Sequence, residues 1–250
     1  MRHQHLTGVP LVAVAHGSRD PRAAATVEDL LDLVRRRSGL RVVTSYLDHA
    51  APTPAQAFGA LTGEEITSAV VLPLLLTAAY HSKTDIPGAL ADARRAHPRL
   101  RLRYGATLGP HPLMTAALER RLAEAGVTPD PDTAVVLAAA GSSDPAANAT
   151  ISAMARRWRG WRRVVPAYAS AARPTPAEAV RALRAAGAPR VAVASYFLAP
   201  GYFADKVREE SLAAGAVAVS PALGAAPELA EIITERYTEI ITLGDQAQVG

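Results

Sequence analysis

The chain has 250 residues, room for one large domain or two average ones, and 49% of them are hydrophobic and 20% charged, as in ordinary globular proteins. It holds no cysteine, which excludes disulfides, thiolate metal sites and cysteine nucleophiles and leaves His, Asp and Glu as metal ligands. The net charge of +4 rests on arginine, Lys83 and Lys206 being the only lysines, and suits an acidic small molecule. With aromatics at 5% and no basic stripe interleaved with aromatics, no nucleic-acid partner is expected. The one basic run, Arg156 to Arg163, reads as a helix end and turn with solvated arginines. No segment reaches the ~18 apolar residues of a membrane span. The start, MRHQHLTGVP, has no signal-peptide core. A cytoplasmic protein follows, with a short leader and a frayed tail from Gly244 to Gly250.

In chain order, Leu11 to Ala15 is an apolar strand ending at His16-Gly17-Ser18-Arg19-Asp20-Pro21, and a helix runs from about Pro21 to Arg36. Arg41 to Tyr46 is a second strand, followed by Asp48 and a helix start at Pro52-Thr53-Pro54. Val70 to Leu76, bounded by breakers, reads as a strand buried on both faces of a parallel sheet. It leads to Tyr80-His81, and Thr84 followed by Pro87 predicts a helix beginning shortly after the histidine and running to about Ala96. Arg101 to Gly105 and a helix from about His111 to Ala125 close the half. Alternation at this spacing implies βαβ units with right-handed crossovers.

Gly126 to Asp132 is a linker by composition, and after it the pattern restarts. Gly141-Ser142-Ser143-Asp144-Pro145 echoes Gly17 to Pro21. Tyr168…Pro174-Thr175-Pro176 repeats Tyr46…Pro52-Thr53-Pro54. Val191 to Leu198 with Gly201 to Lys206 repeats the strand and turn around His81. Three matched motifs in one order indicate duplication. The expected fold is therefore α/β: two tandem parallel-sheet lobes of doubly wound, flavodoxin-like type, residues 1–127 and 132–250.

One half serves as a control for the other. Ala140 stands at the position of His16, Ser170 at that of Asp48, and Tyr202 (or Phe203, one residue on) at that of His81. The scaffold motifs recur, but these three groups, able to bind a metal or carry a proton, occur only in the first half. His16, Asp48 and His81 follow strands one, two and three at their carboxyl ends, where open α/β sheets place ligands. Two imidazoles and a carboxylate suit Fe²⁺, Co²⁺ or Ni²⁺. Imidazole, with an ordinary pKa of ~6.5, also accepts protons near neutral pH. His49 either assists Asp48 or faces solvent; His97 and His111, each before a proline, read as helix punctuation. A phosphate-binding turn at Gly17-Ser18 lacks any GxGxxG or Walker pattern. A Ser18/His81/Asp48 hydrolase lacks the GxSxG elbow.

Ala15-His16-Gly17-Ser18-Arg19-Asp20-Pro21, together with Pro73-Leu74…His81…Asp85-Ile86-Pro87, resembles the sirohydrochlorin chelatase family of class II chelatases, whose longer members carry a degenerate second half. The resemblance spans nearly the whole chain. It implies two chelatase-like lobes facing across a cleft, with the active site in lobe 1–127 and lobe 132–250 closing it. It implies insertion of Co²⁺ or Fe²⁺, as substrate, into sirohydrochlorin for cobalamin or siroheme, with no organic cofactor. His16 and His81 would bind the metal and help deprotonate the macrocycle. Asp48 matches a position that is commonly Glu, and its reach is one methylene shorter. A second departure is Ala78-Ala79-Tyr80, where members often have glycine. Ser18, Arg19 and Lys83 flank the histidines, the two cations placed to attract the carboxylates of sirohydrochlorin, and Lys206 could hold the opposite rim. Because the duplicated chain supplies both lobes, a monomer is expected, a homodimer being the alternative. Two rivals are a non-catalytic tetrapyrrole or metal carrier and a two-lobed binder of a metal-free small ligand.

Overall fold

The computed structural model describes residues 8–78 and 81–246, without the side chains of His81, Lys83 and residues 244–246. The proposed leader, except its last residues, and the end of the proposed tail lie outside the described residues. The chain forms two compact units, residues 1–109 with 225–250, and residues 110–224.

In the first unit β1 (Leu11–Ala15), β2 (Val42–Tyr46), β3 (Ser68–Pro73) and β4 (Arg101–Tyr104) make a parallel sheet in the order β2-β1-β3-β4. β1, LVAVA, is central and fully buried because helices cover both faces. Alternation along the strand divides the core. Val12 and Val14 pack with Ala57, Phe58 and Leu61 of α2 (Pro54–Gly63) and with Ile86 and Leu90 of α3 (Ile86–Ala96). The opposite face is covered by α1 (Pro21–Ser38), through buried Val27, Leu30, Leu31 and Val34. Each such side chain contributes about 1.5–3 kcal/mol on leaving water.

The local signals act as expected at most ends. Asp20 caps α1 by accepting from the Arg22 N–H at 2.9 Å, and Gly39 closes it with φ 70°. The Arg22 guanidinium bonded to Asp20 holds that carboxyl below the usual range, so the cap remains charged until the pH falls through this lowered value. Thr53 and Gln56 form a reciprocal capping box at α2. The third strand departs from expectation by stopping at Pro73 rather than Leu76, its last paired residue on β1 being Pro73 opposite Val14. The helix expected shortly after the histidine is present, and α3 ends at Ala96 as read. His81–Asp85 form a π-helical turn running into α3, whose start has no side-chain cap.

The second unit repeats the sheet with β5 (Thr133–Ala139), β6 (Arg163–Tyr168), β7 (Arg190–Tyr196) and β8 (Ala218–Val219) in the order β6-β5-β7-β8. Its helices include α5 (Pro145–Arg157), α6 (Pro176–Ala185) and α7 (Tyr202–Ala213). In the basic run after α5 the arginines are exposed while Trp158 and Trp161 are buried edge to face, the arrangement of a solvated turn. His111 accepts from the Leu113 N–H at 3.3 Å as cap of α4 (Pro112–Glu124), and His97 ends α3.

The compact units are bounded differently from the sequence repeats 1–127 and 132–250. α4, from the first repeat, packs on β7 of the second unit. There Arg121 donates to the Leu223 carbonyl at 2.6 and 2.9 Å, and Glu119 accepts from the Trp158 indole at 2.8 Å. α8 (Pro227–Gln246) packs on α1 and β3 of the first unit. There Tyr237 donates to the Val9 carbonyl at 2.7 Å. A β-carbon on Gly105 would lie 2.3 Å from Leu72 and 2.4 Å from Ile240. Each repeat thus gives its last helix to the other unit, because the apolar stripe of each finds its cover there.

Candidate active site

The strand order fixes where ligands can enter. From β1 the chain passes to β2 on one side and then to β3 on the other, so the switch point lies between β1 and β3 at their carboxyl ends. His16 is the first residue after β1, and His81 opens the π-helical turn that follows β3. The two motif histidines therefore belong to the two loops that diverge at the switch. The loop of Asp48 leaves β2, on the far side of β1.

The His16 turn is built by close backbone approach. The Leu47 N–H donates to the Ala15 carbonyl at 3.0 Å and the Asp48 N–H to the His16 carbonyl at 2.9 Å. Gly17 has φ 93°, and a β-carbon on it would lie 1.7 Å from the Asp48 carbonyl oxygen. Only glycine fits. His16 is half-buried, and its Nδ1 lies 3.0 Å from the Gly17 carbonyl oxygen. A carbonyl can only accept, so Nδ1 carries a proton, and in the neutral ring the lone pair is then on Nε2. That is the tautomer able to take a metal ion or a proton through Nε2.

Asp48 is exposed and turned toward its neighbour. One carboxylate oxygen accepts from the His49 N–H at 2.8 Å and the other lies 3.2 Å from His49 Nε2. His49 sits at φ 61°. Its pairing with Asp48 was one of two readings open in the sequence; no periodic signal distinguishes it, since it depends on a left-handed residue. The structure joins His16 and Asp48 through the backbone. Among the described residues no group of three or more His, Asp or Glu is placed to hold a metal ion. The side chains of His81 and Lys83 lie outside the described residues.

The flanking groups divide. Ser18 Oγ accepts from the Asp20 N–H at 3.0 Å, helping to start α1, and Ser142 does the same for Asp144 at 3.0 Å. Arg19 is exposed, and Ser143 stands at its place in the second repeat. Lys206 lies on α7, 3.8 Å from Glu210.

Sequence reasoning missed Tyr104. At the end of β4, half-buried, it donates its hydroxyl to the Ser82 carbonyl at 2.9 Å, tying the π-helical turn to the sheet; burial pushes its phenol pKa up. π-helical turns are frequent at functional sites. Tyr104→Phe is expected to cost about 1 kcal/mol of stability and to lower turnover several-fold by loosening the segment that carries His81. Melting curves and initial rates of the variant check this; an unchanged rate would leave the bond a purely structural one.

The second unit reproduces the turn bond by bond. Ala169 and Ser170 donate to Ala139 and Ala140 at 2.9 and 2.9 Å, Ala171 has φ 58°, and a β-carbon on Gly141 would lie 2.0 Å from the Ser170 carbonyl oxygen. Sheet register aligns the third strands too. Val14 pairs with Pro73 as Ala138 pairs with Ser195. Counting on equally from each places Phe203 opposite His81, with Tyr202 beside it.

Fold and site together define a tandem α/β protein made of two copies of one scaffold, of which only the first carries histidines on the strand-end loops. A family model described as CbiX matches the chain twice, over residues 10–125 and 134–240. The chain belongs to the CbiX family. It is 29% identical over 204 residues to a sirohydrochlorin cobaltochelatase of Priestia megaterium, covering 78% of this chain and 66% of that one. It is 28% identical over 201 residues to a sirohydrochlorin ferrochelatase of the same organism, covering 79% and 76%. Among solved structures, SirB from Bacillus subtilis with Fe³⁺ superposes with a TM-score of 0.82 at 24% identity, over 92% of this chain and 94% of that one. The parallel-sheet, doubly wound fold expected from the sequence is the fold observed. Among the described residues no helix is long and apolar enough to cross a membrane.

Proposed function

We propose that the protein is a sirohydrochlorin chelatase of the cytoplasm, inserting Co²⁺ or Fe²⁺ into the macrocycle for cobalamin or siroheme and releasing two protons. One observation carries this reading: the two repeats build the same turn, yet only the first puts a histidine on it, with its Nδ1 against the Gly17 carbonyl. A histidine needed for folding would have a polar counterpart, and Ala140 is none.

The chemistry follows from what insertion requires. The ion must shed water, two pyrrole N–H protons must leave, and a ring nitrogen must present its lone pair. His16, through Nε2, and His81 hold the incoming ion in an open coordination sphere and accept protons as it transfers. Neither a redox step nor an organic cofactor is required. Arg19 and Lys83 attract the carboxylates of the substrate. Asp48 acts from the neighbouring loop and holds His49.

Asp48→Ala is expected to lower kcat/KM by about tenfold, less than loss of a motif histidine, while Asp48→Glu stays near wild type. Rates and metal affinity both unchanged in Asp48→Ala would remove this residue from the site. The reading itself is tested by steady-state insertion with Co²⁺, Fe²⁺ and Ni²⁺ in competition, followed by the absorbance of sirohydrochlorin. At least one metal should be inserted over many turnovers. No acceleration over the protein-free reaction with any of them would reject it.

A further inference from the structure

We propose that Tyr202 and Phe203 form the surface on which the flat macrocycle of the substrate rests, with Lys206 binding one of its peripheral carboxylates. This assignment rests on the tetrapyrrole reading above. Both rings are exposed, Tyr202 at 72% and Phe203 at 41%, and among the described residues they are the two aromatics in the set of exposed large apolar side chains. Their centroids lie 5.4 Å apart with the planes at 66°.

These rings contribute little to the core, and water-exposed apolar surface of this kind marks a binding patch. They open α7 just beyond the carboxyl end of β7, the edge at which such sheets take ligands. Counted on in sequence from the aligned third strands, Phe203 falls opposite His81, with Tyr202 beside it. The copy has thus exchanged an imidazole for aromatic surface at a ligand-facing position, rather than for the small residues found at Ala140 and Ser170.

Charge argues for the same occupant. Lys206 follows Tyr202 by four residues and shares its helix face. Its side chain is 40% exposed and its ammonium lies 3.8 Å from Glu210, a solvated pairing that contributes little and yields readily to a ligand carboxylate. A flat conjugated ring edged with carboxylates matches an aromatic face and a neighbouring ring edge beside one cation.

The test is equilibrium dialysis of metal-free sirohydrochlorin against the full chain, with steady-state insertion alongside. A Tyr202→Ala/Phe203→Ala double variant should raise Kd about tenfold or more and raise KM with kcat within about twofold. Tyr202→Phe/Phe203→Tyr should restore the wild-type Kd, and Lys206→Gln should raise Kd a few-fold with a weaker salt dependence. Alanine is a good helix former and both sites are exposed, so the fold should persist. Unchanged Kd in the double variant of an active protein overturns the inference and leaves the chelatase reading intact. Wild-type protein that neither binds nor metallates sirohydrochlorin overturns both. Loss of a wild-type dimer in the double variant with Kd unchanged would assign the pair to self-association and overturn the inference.

Discussion

His16→Ala is expected to lower metal insertion by about 10³-fold, within the range for a residue that handles protons in the reaction, and to leave the melting temperature nearly unchanged. The second repeat supplies the structural argument. Ala140 stands at the equivalent place, and its carbonyl accepts from Ser170 at 2.9 Å as that of His16 accepts from Asp48 at 2.9 Å. An alanine therefore fits the turn and keeps its backbone bonds. What disappears is the imidazole that the Nδ1–Gly17 contact orients. Circular dichroism and melting verify the fold, and sirohydrochlorin absorbance reads the rate. A folded His16→Ala protein with wild-type rate would remove His16 from the chemistry.

Gly17→Ala should have the largest effect on stability. A β-carbon there falls 1.7 Å from the Asp48 carbonyl oxygen and 2.8 Å from its carbon, on a residue at φ 93°. The obstacle is backbone, so it cannot be relieved by a rotamer change. The loop must move, breaking the Asp48–His16 bond, at a cost of about 3 kcal/mol or more. For a chain of this size that lowers the melting of the affected unit by about 10 °C, and insertion falls with it because the same loop carries His16. Gly141→Ala makes the matching clash at 2.0 Å with Ser170 and should destabilise the second unit comparably. A Gly17→Ala protein with unaltered melting and rate would contradict the geometry of the turn.

Much of this was legible in the sequence for identifiable reasons. Strands such as Leu11–Ala15 and Thr133–Ala139 are short apolar runs between breakers, so their type and parallel pairing follow from burial on both faces. The turn after each first strand was legible because glycine, serine, aspartate and proline recur in both copies. The exchange of α4 and α8 was hidden, since an apolar stripe states that a helix is covered and not by which sheet. The helix after the histidine was legible from Thr84 and Pro87, whereas the π-helical turn by which the chain enters α3, held by the Tyr104 hydrogen bond, was not. That bond joins residues 22 apart in sequence and leaves no local pattern. The pairing of Asp48 with His49 depends on one left-handed residue in the loop.

The central claim is that this chain transfers a metal ion rather than merely holding one. Its most direct measurement is single-turnover insertion, with the wild-type chain preloaded with Co²⁺ or Fe²⁺ and mixed with stoichiometric sirohydrochlorin while its absorbance is recorded. The account predicts rapid conversion to metallated product well above the protein-free rate, and its loss in His16→Ala. An ion that stays bound while sirohydrochlorin remains metal-free would contradict it and make the protein a carrier.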